Sequence, residues 1–247
     1  MSVTITDAPA APAPSTLTSG VAPRLAARLA GIGYVLIFGL AIFANFMVRE
    51  GLVVAGDAAA TAANISGSPG LFRAGFAAFL VVFLLDIVLA WALHVVFRPV
   101  NPDLSLLAAW SRLVYTTFLG VALVFHLQAL RLLDDAHLAA LGTDQAQTQA
   151  LLALESFNDA WLVGLAAFGI HLVLLGVLVI RSGWAPRLLG VLLAIAGVAY
   201  VVDTLAQTLL PDYRAVAPVF LAIVAVPSMV GEGWLGLWLL LTRRFAR

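Results

Sequence analysis

The chain has 247 residues, of which 63% are hydrophobic and 11% charged, and its mean hydropathy is +1.06; soluble domains carry roughly 25% charged residues. A soluble domain this apolar would expose more greasy surface than solubility tolerates, so the chain reads as an integral membrane protein. Zero net charge, no basic stripe and no cysteine exclude nucleic-acid binding, disulfides, thiolate nucleophiles and cysteine-bound metals.

At about 20 apolar residues per spanning helix, the sequence predicts an all-α polytopic bundle of six transmembrane helices. Residues 1–21 are rich in Ala, Pro, Thr and Ser and lack the basic start and apolar run of a cleavable signal. They are expected to form a disordered tail, leaving 22–247 as the transmembrane domain. The first span is expected at 25–48. Asp57 should cap a short Ala-rich helix in the 49–72 connection, and Ser66-Gly67-Ser68-Pro69-Gly70 should break it. The second span, 73–97, is stopped by Pro99. The third, 105–131, has Asn101, Asp103 and Ser105 as alternative caps. The connection 132–156 is the most polar. Asp144 with Gln147 three residues on resembles a capping box, so the fourth helix should start outside the membrane near 144 and cross it over 157–180. A turn with interfacial Trp184 leads to the fifth span, 188–210, whose Gly190, Ala194 and Gly197 form a small-residue stripe suited to close helix contact. The sixth, 216–241, should be kinked by Pro227.

Arginine counting orients the chain. Arg24, Arg28, Arg98, Arg112, Arg181, Arg187, Arg243, Arg244 and Arg247 fall on one side, and Arg49, Arg73, Arg131 and Arg214 on the other. Both termini are therefore expected in the cytoplasm, with the protein in the cytoplasmic membrane.

Ionisable side chains within spans are costly and must face protein or a wet cavity. Asp86, Asp203, Glu232 and Arg112 are such residues, together with His126 and His171. Helical rise sets Asp86, Arg112, His171 and Glu232 at similar depths. Arg112 is expected to bond Asp86 or Glu232, with His171 lining the same interior, as a ligand-binding site or as a structural polar core. His126 and Asp203 should form a separate outer group. The four histidines show no zinc-binding spacing, and no serine elbow or phosphate loop occurs, so no metal, no cofactor and no assignable catalytic residue is expected.

Several segments carry a family resemblance through their order and spacing. They are Leu71-Phe72-Arg73, Asp86-Ile87, Ala92-Leu93-His94 and Arg98-Pro99-Val100-Asn101, then Leu106 to Val114 with its Ala108-Ala109-Trp110-Ser111-Arg112 centre. Further on come Phe168-Gly169-Ile170-His171-Leu172, Arg181-Ser182-Gly183 with Pro186-Arg187, and Gly231-Glu232 with Leu237-Trp238-Leu239-Leu240. From Arg24 to Arg244 the chain resembles the bacterial membrane family labelled domain of unknown function 4386. The resemblance implies a small multi-span membrane protein and transfers no catalytic or binding residue.

Three intramembrane acids with few compensating cations lead to a first reading as a non-enzymatic binder or carrier with a polar intramembrane site. Its partners would be membrane lipids and a small apolar or amphipathic ligand, with self-association left open. The alternatives are a membrane-embedded enzyme using Asp, Glu and His as acid–base groups, or a signalling or assembly partner.

Overall fold

The computed structural model describes residues 21–242, all of whose long elements are helices. The expected N-terminal tail, apart from Val21, and the last five residues lie outside the described residues. Helix α1 (Pro23–Ile42) continues through a π-helical segment, Phe43–Arg49, into the short α2 (Glu50–Leu52). Then follow α3 (Ala58–Gly67), α4 (Pro69–Phe97), α5 (Pro102–Leu132), α6 (Asp135–Leu141), α7 (Thr143–Ser182), α8 (Arg187–Leu209) and α9 (Tyr213–Leu241). Six of these stretches are long and apolar enough to cross a membrane, the first being the 30 residues Pro23–Leu52 taken together.

Local chemistry sets the helix ends. Pro23, Pro69 and Pro102 occupy first-turn positions, where a missing N–H costs nothing. Asp57 accepts from the Ala60 N–H at 2.8 Å and so caps α3. Of the three candidate caps for α5, Asn101 takes the role, accepting from the Leu104 N–H at 2.9 Å. Ser105 instead donates to the His94 carbonyl at 3.1 Å and meets His94 Nδ1 at 3.1 Å, clipping the α4–α5 hairpin shut. Asp134 caps α6 by accepting from the His137 N–H at 2.9 Å. That bond and a second from the His137 ring hold its carboxyl below the usual aspartate range.

Two expectations need correcting. The capping box at Asp144 does not form, because α7 starts at Thr143 after Gly142 at φ +84°. Asp144 therefore lies inside the first turn, where its charge still favours the helix N-terminus. The first span also does not stop at Val48. The helix runs on to Leu52, and Arg49, read as the start of an aqueous connection, is only 7% exposed.

The six spans form a closed ring in chain order. The α1 helix packs on α4, α4 on α5, α5 on α7, α7 on α8 and α8 on α9, and α9 returns to α1. In lipid there is little hydrophobic drive between helices, so close approach through small residues matters. The α7–α8 contact shows it directly. A Cβ on Gly169 would lie 2.5 Å from the Gly197 carbonyl oxygen, and one on Gly176 2.5 Å from that of Gly190. The expected stripe on α8 thus meets a matching glycine pair on α7. The α9–α1 closure is similar: a Cβ on Gly236 would lie 2.6 Å from the Tyr34 Cβ. The α9 helix runs through both Pro218 and Pro227, which leave the Arg214 and Ile223 carbonyls without helical donors. Of its most apolar stretch only 17% is buried, against 50% for α7.

The seam makes a simple prediction. Gly169→Ala and Gly197→Ala should each lower stability by about 1–3 kcal/mol, the usual cost of overpacking. Gly39→Ala, whose Cβ would meet nothing within 4 Å, should be neutral or stabilising. Thermal unfolding in detergent measures all three. Equal behaviour would mean that backbone contact does not set the α7–α8 distance.

Candidate functional site

The interior of the ring holds a polar cluster, and helical periodicity puts it there. On α4 the buried face includes Val82, Asp86, Leu89 and Leu93; on α5 it includes Ala108, Arg112, Tyr115 and Leu119. Phe168, His171, Leu172 and Leu175 do the same on α7. These charged and polar residues therefore occupy positions that would otherwise carry apolar core. Asp86, Arg112 and His171 are each about 1% exposed.

Arg112 is the centre. Its Nε donates to Asp86 Oδ1 at 2.9 Å and its Nη2 donates to the same oxygen at 2.5 Å. Its Nη1 lies 3.2 Å from His171 Nε2 and 3.5 Å from the Tyr34 hydroxyl. His171 Nδ1 lies 2.8 Å from the Ala108 carbonyl. A carbonyl can only accept, so Nδ1 carries the hydrogen and Nε2 is left to accept from Arg112. The guanidinium carbon also sits 5.2 Å from the Phe168 ring centre and 5.4 Å from that of Tyr34, within cation–π range. Four helices are thereby tied to one side chain.

The structure brings Asp86, Arg112 and His171 into one bonded cluster. Glu232 stands at its edge. Its carboxylate acts electrostatically on Arg112, Asp86 and Tyr34, yet it accepts no hydrogen bond from a described residue. Gly236, one turn further along α9, seats Tyr34, and the i, i+4 spacing puts Glu232 on the same side of that helix.

His126 and Asp203 do not meet. The His126 ring stacks on Phe72 with centroids 4.1 Å apart, and its Nε2 donates to the Phe72 carbonyl at 3.3 Å. Asp203 accepts from the Tyr213 hydroxyl at 2.6 Å and from Gln207 at 2.9 Å. Depth along a span does not fix the angle around the ring, and α7 stands between α5 and α8. The expected outer group is therefore two separate sites. Among the described residues no three His, Asp or Glu side chains are grouped to hold a metal ion.

Sequence reasoning missed Tyr34, whose hydroxyl in an otherwise apolar stretch beside Gly31 and Gly33 was the available signal. It also missed a second buried arginine. Arg49 Nη2 donates to Asn158 Oδ1 of α7, and its guanidinium carbon lies 4.2 Å from the Phe157 ring centre.

A ring of six apolar helices closed around a buried ion pair defines a helical multi-pass membrane protein. The chain belongs to the family described as Domain of unknown function (DUF4386), whose model matches residues 29–242. It is similar to an uncharacterized protein of Archaeoglobus fulgidus, with 34% identity over 125 residues. That match covers 51% of this chain and 62% of the relative's length. No solved structure matches.

The bonded pair yields a second prediction. Arg112→Met should cost about 3–5 kcal/mol, because it strands the Asp86 carboxylate in the core. Adding Asp86→Leu should recover most of the loss. Unfolding in detergent of the single and double variants checks this, and equal damage in both would show that Arg112 acts without its pair.

Proposed function

We propose that the protein is a non-enzymatic binder of a small apolar or amphiphilic molecule drawn from the membrane. The observation that carries this reading is a groove of about 490 Å³ between α8 and α9, reaching the end of α7. Ile180, Val191, Ile195, Val198, Phe220 and Ile223 are among the side chains that line it. Small-molecule sites commonly occupy about 300–1,000 Å³ and have mostly apolar walls. One wall is α9, the least buried span, with two prolines in its backbone. Such a wall can shift with less loss of packing than any other span.

In the interior cluster Asp86, Arg112 and His171 are tied up with one another, which favours a structural role for these three over acid–base work, while Glu232 is not so engaged. A general acid or base must come within hydrogen-bond reach of the reacting atom. Here both ring nitrogens of His171 and all three nitrogens of Arg112 are engaged within the core. The cluster acts as a clasp for the ring, and the ligand space lies outside it.

Blocking the groove tests the reading. Val198→Trp should reduce labelling of the protein by a photoactivatable fatty acid in its own membrane about tenfold, the effect of losing about 1.4 kcal/mol of binding. Leu84→Trp, at a lipid-facing position that does not line the groove, should label as the unmodified chain does. Equal labelling of both variants would sink the proposal.

The orientation we propose has both termini in the cytoplasm. With buried Arg49 and Arg112 removed from the tally, eight arginines remain on the cytoplasmic side and three on the other. The chain has no cysteine, so single cysteines report cleanly. Gln145→Cys before the fourth crossing should react with an impermeant thiol reagent added to intact cells, and Asp103→Cys in the first turn of α5 should not. The opposite pattern reverses the assignment.

A further inference from the structure

Near its end the first span stops being an α-helix. Phe43–Arg49 forms a π-helix, a rare form that concentrates at functional sites. On this segment Arg49 Nη1 donates to Asn45 Oδ1 at 3.4 Å, while Nη2 donates across to Asn158. Both partners are neutral. No carboxylate of a described residue forms an ion pair with Arg49, and its chain neighbour Glu50 is exposed. A buried cation without an acid is strongly unfavourable unless something neutralises it.

Two buried polar atoms in this region have no hydrogen-bond partner among the described residues, Arg49 Nε and His126 Nδ1. Both residues pack on one ring. The guanidinium lies over the face of Phe157 at 4.2 Å, and the His126 ring meets the same phenyl at 6.1 Å and 65°. His126 is fully buried, and its Nε2 faces the Phe72 carbonyl. That carbonyl only accepts, so Nε2 carries the hydrogen and Nδ1 presents a lone pair. The region therefore combines a buried positive charge without an ion-paired acid, balanced only at longer range by exposed Glu50, with an unused N–H donor and an unused acceptor. Buried polar atoms are nearly always partnered, and exceptions call for an explanation.

We infer that Arg49 and His126 form a binding site for a phosphate-type oxyanion. An anionic oxygen would accept from Arg49 Nε–H and neutralise the guanidinium, while a phosphate hydroxyl would donate to His126 Nδ1. Arginine's fork suits such oxygens. Asn158, which accepts from Nη2, is exposed, so this hydrogen-bond partner of the arginine lies at the surface of the fold. Arg49 is three residues from the end of its helical stretch and Phe72 three residues into α4, so the site lies near the ends of both elements. A phosphomonoester lipid headgroup and free phosphate share this chemistry. None of its residues lines the α8–α9 groove, and the site does not depend on that reading.

The test is thermal unfolding of the full chain in uncharged detergent, titrated with inorganic phosphate, with short-chain phosphatidic acid, and with diacylglycerol bearing the same chains. Phosphate, phosphatidic acid or both should raise Tm in a saturable way, phosphatidic acid beyond any rise from diacylglycerol, which as an amphiphile can also occupy the α8–α9 groove. A response to phosphatidic acid alone identifies a lipid headgroup as the source; a response to both identifies the anion itself as sufficient. Arg49→Met should abolish the phosphate shift and the excess of phosphatidic acid over diacylglycerol. Arg49→Lys, which keeps the charge but lacks Nε, should weaken the apparent affinity about tenfold, as expected for one charged hydrogen bond. No phosphate shift and no excess of phosphatidic acid over diacylglycerol, or such a shift or excess that survives Arg49→Met, overturns the site. Should Arg49→Met not fold, Arg49→Lys decides alone, and an unchanged affinity overturns it.

Discussion

The Asp86–Arg112 pair is the constraint on which the ring depends. Neither charge could remain in the core by itself, and each is surrounded by buried apolar side chains. Arginine satisfies the arrangement because its donors point in several directions at once. Two reach Asp86 on α4, and Nη1 serves both His171 on α7 and Tyr34 on α1. A lysine at this place would supply the charge without the fixed fork. The angular order of the four helices is thus written into one guanidinium.

Steric fit completes what the ion pair begins. The glycine pairs of α7 and α8 bring two backbones together, and the α5–α7 and α7–α8 interfaces are the most extensive in the molecule. The α9 helix is different. It is held by small residues against α1 and α8, carries two prolines, and leaves most of its apolar face outward. Rigidity is concentrated at α5, α7 and α8, and the apolar groove lies where that rigid part meets the loosely held helix.

Much of this was legible in the sequence, because membrane spans announce themselves by length and apolar content. Proline and cap residues fixed the turns at Pro69 and at Pro99 to Asn101 within a few positions. The depth of Asp86, Arg112 and His171 was also readable, since helical rise is constant. Angular position was not. His126 and Asp203 share a depth and lie in different parts of the ring, and a linear sequence holds no direct record of which helices are neighbours. Arg49 was hidden for another reason. An Arg-Glu pair after an apolar run is the ordinary sign of a span's end, and only the neutral asparagines at 45 and 158 hint that the arginine turns inward.

The α4–α5 hairpin has a consequence for how the chain enters the bilayer. A lone aspartate or arginine at the centre of a helix opposes insertion by about 2.5–3.5 kcal/mol. Asp86 and Arg112 sit on consecutive helices joined by a turn of only four residues, 98–101, whose ends Ser105 and His94 already clip together. The two charges can therefore leave the translocation machinery as a neutral pair rather than one after the other. A polar centre that would be a burden to either helix alone becomes, in this order of synthesis, a reason for the two to partition together.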